Sequence, residues 1–323
     1  MVRMPRWTPK LLEILGWLAL VPMFGLCLTL WVGYDGRRTV AALQALTPWV
    51  LVWAAPLALA ATLTRRHPLA LAALVPLATL LVLSAPIVFH GDPPAAAADS
   101  PRLTIAYGNV LYNNTTPDAA AATLLAADAD VMLLVEFSTI NRDAMVAATP
   151  QGDYPYREEL VSDSSSSIGV WSRYPIISGG IVRVGGRPTV DVTLAVDGSE
   201  FRLVGAHPHP PTFQASSWGQ QLDAIGDRFA ASATPTAVVG DFNGARWHPS
   251  FRDLLDRGLT DTHEVMGHGW SVSWPMDEGL LPPQFVRIDH ALYGDGLTPT
   301  ALHDLEIPGS DHKGFVVTFA LTG

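Results

Sequence analysis

Three long apolar segments dominate the first ninety residues. They run from Leu11 to Val32, from Val40 to Leu63 and from Pro68 to Phe89, and each is 22 to 24 residues long. About 20 apolar residues in a helix cross the roughly 30 Å hydrocarbon core of a bilayer. None of the segments has the polar face that a soluble helical bundle needs. The pattern therefore predicts three transmembrane helices, with residues 11–89 in contact with the lipid bilayer.

A cleavable signal peptide is the alternative interpretation of the first segment. Its apolar part is longer than that of a signal peptide, and Gly33-Tyr34-Asp35 does not form a small-x-small cleavage site. We therefore expect the first segment to remain as part of a membrane anchor.

Lysine and arginine residues in the short loops predict the orientation of this anchor, because they favour the cytoplasmic side. Arg37 and Arg38 lie on one side of the predicted membrane, and five basic residues lie on the other: Arg3, Arg6, Lys10, Arg65 and Arg66. The N-terminus is accordingly expected in the cytoplasm. With three crossings, the protein is a multi-pass cell-membrane protein whose chain after Phe89 is extracytoplasmic.

Beyond residue 90 the pattern changes to short apolar runs separated by polar turns and helical stretches. Residues 91–100 form a Pro/Ala-rich linker. Strands are predicted over residues 103–107, 131–135, 168–171, 181–184, 190–196, 201–206, 237–239, 286–292 and 315–321, and helices over 117–127 and 214–230. This many strands with few helices indicates an α/β fold with two sheets. The predicted division is an anchor (1–90), a linker (91–100) and a folded domain (101–323).

The charge of the chain is unevenly distributed. Residues 91–323 contain twenty-eight Asp and Glu residues against thirteen Lys and Arg residues. Non-specific nucleic-acid binding needs a basic surface, so the acidic domain disfavours nucleic acid as a partner without excluding it. Anionic substrates would be repelled unless a bound cation reverses the local field. The only cysteine, Cys27, lies in the first apolar segment, so the folded domain forms no disulfide.

Polar side chains follow many of the predicted strands. Asp241 and Asn243 come directly after one apolar run and are flanked by Gly240 and Gly244. Residues two apart on an extended chain share one face, so the carboxylate and the amide would point the same way. A polar turn is the alternative interpretation of this stretch. The same pattern recurs elsewhere and favours a common site, at Asn109, Glu136, His207, Asp289, Asp311 and His312.

Seven short motifs occur in order along the chain: Gly108-Asn109-Val110, Val135-Glu136, Ser172-Arg173-Tyr174-Pro175-Ile176, Gly205-Ala206-His207, Gly240-Asp241-Phe242-Asn243, Arg287-Ile288-Asp289-His290 and Gly309-Ser310-Asp311-His312. Together they resemble the endonuclease/exonuclease/phosphatase superfamily over about residues 102–322. Gly-Asp-Phe-Asn and Ser-Asp-His are the most specific. The resemblance implies a four-layer α/β sandwich, in which helices flank two central sheets. It also implies hydrolysis of a phosphoester that depends on Mg²⁺, with Mn²⁺ as the alternative ion.

The resemblance also implies which residues bind the metal. Glu136 would be the main metal carboxylate and Asn109 a neutral oxygen ligand, since Mg²⁺ prefers oxygen ligands and keeps several waters. Asp289 and Asp311 would complete the metal site.

Four further roles follow from the same resemblance. Asp241 would orient and deprotonate the attacking water, and Asn243 would hold that water or a phosphate oxygen. His312, oriented by Asp311, would contact the scissile phosphate or transfer a proton. His207 would donate to a non-bridging oxygen.

The other histidines receive structural interpretations. His209 is expected in a rigid loop beside the site, and His290 is expected to pack within its strand. His248, His263 and His268 do not fall on a motif, and no role is assigned to them.

The combined prediction is a membrane-anchored, extracytoplasmic phosphohydrolase, either a phosphodiesterase or a phosphatase. Its substrate could be lipid-linked or near the membrane, because a ten-residue linker reaches at most about 35 Å. One alternative is an extracytoplasmic nuclease, although no basic loop for gripping a nucleic-acid backbone is evident. The other alternative is a non-catalytic binding or sensor module. The presence of a suitable residue at every expected ligand position argues against it.

Overall fold

The computed structural model describes residues 8–91, 93, 95–276 and 285–322. The helices in these ranges are α1 (Thr8–Trp31), α2 (Arg38–Ala45), α3 (Thr47–Leu51), α4 (Ala54–Leu63), α5 (His67–Val88), α6 (Pro117–Ala126), α7 (Thr139–Ala148), α8 (Pro211–Ala230), α9 (Pro249–Leu255) and α10 (Thr262–Val265). The strands are β1 (Arg102–Asn109), β2 (Val131–Val135), β3 (Tyr156–Leu160), β4 (Ile168–Ser172), β5 (Ile176–Val184), β6 (Arg187–Val196), β7 (Ser199–Ala206), β8 (Thr236–Asp241), β9 (Thr260–Asp261), β10 (Asp289–Tyr293), β11 (Leu297–Glu306) and β12 (Lys313–Leu321).

The anchor contains two helices that are long and apolar enough to cross a membrane, Lys10–Trp31 and His67–Val88. The middle segment is broken, and α2 is bent by 68° from the stretch Thr47–Leu63. The three predicted segments thus correspond to two continuous candidate spans and one bent pair, which gives three spans if the pair counts as one. Pro48 lies in the first turn of α3, directly after the break, where its missing N–H costs no helical hydrogen bond.

The folded domain docks on the end of the anchor where α1 ends and α2 begins. Asp35 accepts hydrogen bonds from the backbone N–H and the hydroxyl of Ser250, each at 2.8 Å. His248 Nδ1 accepts from the Ala245 N–H at 2.9 Å, so its Nε2 carries the proton and donates to the Ala41 carbonyl at 2.9 Å. Asp35 and His248 are buried. These contacts hold α2 against the domain, so the domain is not merely tethered through the linker.

Two six-stranded sheets form the domain, with strand orders β11-β12-β1-β2-β4-β3 and β5-β6-β7-β8-β10-β9. A fully buried apolar layer that includes Ile105, Leu133, Val192 and Leu203 lies between them. Helices α6 and α7 pack on the outer face of the first sheet, and α8 and α9 on that of the second. This arrangement confirms the predicted two-sheet sandwich with flanking helices.

The predicted strands are present, with one shift. Residues 286–292 were expected to form a strand, but β10 begins at Asp289, and Val286 forms only an isolated bridge with Trp274. Strands β3, β9 and β11 were not predicted. Strand β3 carries three charged residues on a sheet edge, and β11 contains Pro299, so neither has the apolar pattern of a central strand.

The first sheet brings three polar residues to one of its edges. Strands β1 and β2 are parallel, so Asn109 at the end of β1 and Glu136 just after β2 lie at the same edge. Strand β12 is antiparallel to β1, and His312 lies directly before it, so this residue reaches the same edge from the opposite chain direction.

The second sheet repeats this arrangement. Strands β7 and β8 are parallel, which brings His207 just after β7 close to Asp241 at the end of β8. Strand β10 is antiparallel to β8, and its first residue, Asp289, pairs in register with Asp241. The candidate site forms where these edges of the two sheets meet.

Candidate active site

Asp241 lies at the centre of this polar cluster and is 1% exposed. Its Oδ2 is 3.2 Å from Asn109 Nδ2, 3.6 Å from His207 Nε2 and 3.7 Å from His312 Nε2. Its Oδ1 accepts a hydrogen bond from the Asn243 backbone N–H at 2.8 Å. One carboxylate thus joins residues from both sheets.

Gly240 makes this arrangement possible. A Cβ atom at this position would lie 1.9 Å from the Ala206 carbonyl oxygen on the neighbouring strand. Only glycine lets β7 and β8 approach this closely, and the approach brings Asp241 next to His207.

Glu136 and Asn109 border Asp241 on the side of the first sheet. Glu136 Oε1 accepts from Asn109 Nδ2 at 3.3 Å, and Oε2 accepts from the Tyr112 N–H at 3.1 Å. The φ of Glu136 is 56°, a strained value for a residue with a side chain and one that clusters at functional sites. Asn109 Oδ1 accepts from the Leu111 N–H at 3.1 Å, so its nitrogen faces the two carboxylates. To serve as an oxygen ligand, this amide must turn over.

His312 is oriented by Asp289. The distance from His312 Nδ1 to Asp289 Oδ2 is 2.9 Å, and Asp289 Oδ1 accepts from the Tyr107 hydroxyl at 2.7 Å. Asp311 Oδ1 lies 3.9 Å from His312 Nε2, and its Oδ2 accepts from Trp274 Nε1 at 3.2 Å. The prediction that Asp311 orients His312 is therefore wrong. Asp311 and His312 lie in a bend just before β12, and the carboxylate that supports His312 comes from β10 of the other sheet.

The site combines a charged and a neutral histidine. Burial opposes the charge on His312, but Asp289 and Asp241 outweigh it and raise its pKa to about 10. Burial lowers the pKa of His207 to about 3, and Arg187 adds to this effect. Burial and the neighbouring Asp289 raise the pKa of Asp241 to about 8, whereas His312 overcomes burial and lowers the pKa of Asp289. At neutral pH, His312 thus carries a positive charge beside acidic groups.

Three residues that the sequence did not single out support the site. Ser273 Oγ accepts from the Asp289 N–H at 3.2 Å, and Tyr107 holds the same carboxylate. Arg187 is buried and donates to the His207 carbonyl at 3.0 Å. Across the described part of the chain, no carboxylate forms an ion pair with Arg187. In the sequence Tyr107 resembles an ordinary strand residue, and Arg187 follows a Gly-Gly turn, so neither carries a recognisable signal.

Other predicted residues lie beside the cluster. The Asn243 side chain donates to the Pro208 carbonyl at 3.1 Å, which leaves its amide oxygen as the group available to water or phosphate. His290 is buried, and its ring contacts Asp261 Oδ2 at 2.7 Å and the Gly244 carbonyl at 3.0 Å. This agrees with the packing role predicted for His290.

The carboxylate oxygens of this cluster fit a metal ion, whereas the protonated His312 lies beside them as a positive charge. One ligand atom each from Asp241, Asp289 and His312 lies within 4.8 Å of the others. Glu136 and Asp241 also approach the same Asn109 amide, which concentrates negative charge that a divalent cation would balance. Carboxylate and amide oxygens are the ligands that Mg²⁺ prefers.

These residues open into a cleft of about 510 Å³. We use the name polar wall for the cleft-lining residues Glu136, Arg187, His207, Asp241, Asn243 and His312. Asp311 lines the same cleft near Trp274. A site of this kind can hold a cation and bring an attacking water and a phosphate together within a buried space.

A two-sheet sandwich with a cation-binding centre where the sheet edges meet defines the class of protein to which this chain belongs. Residues 106–312, more than half of the chain, match the Endonuclease/Exonuclease/phosphatase family. The chain is therefore a member of that family, whose members are metal-dependent phosphoester hydrolases. A search of curated protein sequences finds no match.

Solved structures share the fold. The structure of D. rerio TDP2 complexed with single strand DNA product has a TM-score of 0.58 and 17% identity, covering 68% of this chain and 98% of that one. The structure of truncated Caenorhabditis elegans TDP2 has a TM-score of 0.56 and 14% identity, covering 68% of this chain and 97% of that one. The structure of an endonuclease/exonuclease/phosphatase from Beutenbergia cavernae has a TM-score of 0.53 and 19% identity, covering 69% of this chain and 72% of that one. At these identities the likeness establishes the fold.

Proposed function

We propose that the protein is a membrane-anchored phosphoester hydrolase, a phosphodiesterase or phosphatase, that depends on Mg²⁺ and acts outside the cytoplasm. The observation that carries the proposal is the buried cluster of Asp241, Asp289 and His312, with Glu136 and Asn109 beside it. Membership of a family of metal-dependent phosphoester hydrolases supports it.

Metal binding falls to the acidic side of the cluster. Glu136 holds the ion, with the Asn109 amide as a neutral ligand and Asp289 in support. When bound, Mg²⁺ polarises a phosphoryl oxygen and offsets the charge of the carboxylates. Asp241 faces the same space, where it orients and deprotonates the attacking water. Asn243, fixed by its bonds to Asp241 and Pro208, holds that water with its amide oxygen.

Positive charge and N–H groups on the polar wall stabilise the phosphate. Asp289 holds His312 through Nδ1, so Nε2 is directed at the space beside Asp241 and contacts the scissile phosphate. His207 remains neutral and donates to a non-bridging oxygen. Arg187, with no carboxylate partner among the described residues, adds a fixed positive charge to the cleft.

The extracytoplasmic location is part of the proposal and follows from the loop charges. Glu13 pairs with Arg66 at one end of the anchor, the end that carries most of the loop arginines. The folded domain contacts the other end, through Asp35 and Ala41. The positive-inside tendency then assigns the domain to the outside. Protease treatment of intact cells should digest the domain, and protection of the domain would contradict this orientation.

The activity is tested with the full-length protein in detergent. Hydrolysis of a soluble aryl phosphodiester and an aryl phosphomonoester should require Mg²⁺ or Mn²⁺ and stop on chelation. A single-stranded DNA oligonucleotide in the same assay tests the nuclease alternative, and preferential, salt-sensitive DNA cleavage would favour it. If no phosphoester is hydrolysed and calorimetry detects no Mg²⁺ binding, the enzyme proposal fails in favour of a binding module.

A further inference from the structure

The anchor contributes a second wall to the cleft. Ala41, Ala42 and Ala45 of α2, together with Leu46, line the same cavity as the polar wall. We call these four residues the apolar wall. Because α2 is fixed to the domain by buried hydrogen bonds, this wall is a constant part of the site. A phosphoester bound in the cleft therefore contacts apolar surface of the membrane anchor as well as catalytic side chains.

An apolar groove lies next to this cleft. It has a volume of about 300 Å³ and is lined by Trp49, Val52, Ile87, Trp247 and Trp270, which we call the tail groove. Trp49 and Trp270 are each 53% exposed, whereas Trp247 is buried. The main charged groups at the groove pair with each other, since Arg246 Nη1 donates to both Glu264 oxygens at 2.7 and 2.6 Å. The surface left for a ligand is mainly aromatic and aliphatic.

Cleft and groove adjoin each other at a shared segment. Phe285 and Val286 line both cavities. Trp49 Nε1 donates to the Phe285 carbonyl at 2.9 Å, which fixes α3 of the anchor to this segment. Leu80 and Ile87 of α5, a helix long and apolar enough to cross a membrane, also line the groove. The groove thus lies between the segment that it shares with the cleft and an apolar helix long enough to cross a membrane.

We propose that the tail groove binds the hydrocarbon chain of a membrane amphiphile whose phosphoester lies in the cleft, so that the substrate is a lipid phosphoester. The inference rests on the proposed function of the cleft. Burial of a chain against tryptophan and aliphatic surface is favourable, at about 25 cal/mol per Å² of apolar area. A polynucleotide would instead have to bring successive phosphates against the alanines of α2 and an acidic domain, at a desolvation cost with no opposite charge to offset it.

The test uses p-nitrophenyl alkyl phosphodiesters that differ only in chain length, from methyl to dodecyl. The full-length protein in lipid nanodiscs is assayed with Mg²⁺, and each ester is kept below its micellar concentration. We expect kcat/KM to rise by roughly tenfold or more from the methyl to the dodecyl ester, because each added methylene buries apolar area. A flat dependence on chain length would overturn the proposal.

Trp270→Glu puts a charge in the tail groove without touching the polar wall. It should remove most of the chain-length dependence while changing hydrolysis of the methyl ester by less than about twofold. Ile177→Glu is the matched control, since Ile177 is also a half-exposed apolar residue of the domain and lines neither cavity. Equal effects of the two substitutions on the dodecyl ester would contradict the assignment of the groove.

The outcomes also separate this inference from the proposed function. Hydrolysis of the methyl ester with no gain for longer chains would refute the lipid substrate and leave the hydrolase intact. Failure to hydrolyse even the methyl ester, with no Mg²⁺ binding, would refute the hydrolase and the lipid inference with it. Faster cleavage of single-stranded DNA than of any alkyl ester would overturn the lipid assignment alone.

Discussion

The two walls of the cleft differ in origin as much as in chemistry. The polar wall consists of residues at the ends of strands from two sheets, drawn together around Asp241. The apolar wall consists of three alanines of the short helix α2 and the leucine that follows it. In our proposal, the polar wall provides groups for the reaction at a phosphate, and the apolar wall limits what can be attached to that phosphate.

The difference shows that the N-terminal helices do more than precede the folded domain, since they also line its cleft. Asp35 and His248 join α2 to the domain through buried hydrogen bonds. The domain that carries the family match over residues 106–312 is thereby combined with a wall from outside that range. Substitutions in the two walls should consequently have separable effects, the first on turnover and the second on substrate choice.

Removal of the metal should have the largest effect on the polar wall. Chelation of divalent cations is expected to eliminate hydrolysis of a soluble aryl phosphodiester, and added Mg²⁺ or Mn²⁺ should restore it. Because the ion binds the folded protein and not the unfolded chain, it should stabilise by about 2.7 kcal/mol at a concentration one hundred times its Kd. Thermal melting with and without Mg²⁺ measures this gain. A wild-type Tm that is insensitive to Mg²⁺ would contradict the metal site.

Glu136→Gln provides the control for that measurement. It removes one metal-binding charge and should greatly reduce the Mg²⁺-dependent rise in Tm, while the melting transition stays cooperative. An undiminished rise would exclude Glu136 as a main ligand.

Asp241→Asn should be the next most severe change. The amide cannot accept a proton from the attacking water, so kcat is expected to fall by about 10²- to 10⁴-fold. The asparagine side chain is nearly the same size as that of aspartate, so circular dichroism should show a folded protein. Asp295→Asn, at an exposed turn between β10 and β11, is the matched control and should retain full activity. Retained turnover in Asp241→Asn would refute the proposed role.

Sequence patterns predicted the polar wall well because each of its motif residues follows an apolar run. Asp241 and Glu136 end buried strands, and the parallel pairs β1–β2 and β7–β8 bring such ends together. The carboxylate that orients His312 was predicted to be its sequence neighbour Asp311. It is Asp289, which lies 23 positions away and in the other sheet. Tyr107 was missed for the same reason, since its hydroxyl meets Asp289 only through tertiary structure.

Hydropathy could not reveal the apolar wall. Residues 40–63 are continuously apolar, and an unbroken span has the same composition as a bent pair of helices. Pro48 lies at the break, but Pro22 and Pro76 lie inside the continuous helices α1 and α5, so proline alone could not identify the broken segment. That α2 then contacts the domain depends on Ser250 and His248, more than two hundred residues away in sequence.

The acidity of the polar wall predicts a pH dependence of metal binding. Burial and Asp289 raise the pKa of Asp241 to about 8 in the metal-free protein, so its carboxyl group is protonated below that pH. A bound cation favours the ionised form, and binding should release a proton. Mg²⁺ affinity should therefore rise with pH, by at most about tenfold per unit, and level off above about pH 8.

Calorimetry in two buffers of different ionisation enthalpy measures the released proton directly. Asp241→Asn should bind Mg²⁺ with much less proton release than the wild type below pH 8. Equal proton release by both proteins would contradict the assignment of the raised pKa to this residue.

The smallest predicted effect concerns the docking of the apolar wall. Asp35→Ala leaves the Ser250 N–H and hydroxyl without their acceptor and should weaken the contact between α2 and the domain by about 1–3 kcal/mol. Hydrolysis of a soluble aryl ester should change by less than about twofold, since no group of the polar wall is altered. Hydrolysis of a long-chain ester should fall more. Asp99→Ala, at an exposed position in the linker, is the control and should change neither rate.

The most direct test of the account measures whether the metal site and the anchor helix lie side by side. A nitroxide is attached at Leu43→Cys in a Cys27→Ala background of the full-length protein in nanodiscs, and Mn²⁺ replaces Mg²⁺. Leu43 is exposed and adjacent to the cleft-lining Ala42, so bound Mn²⁺ should strongly broaden the nitroxide spectrum, and Glu136→Gln should largely remove the broadening. An unbroadened spectrum from a protein that binds Mn²⁺ and remains active would contradict the claim that the anchor forms a wall of the active site.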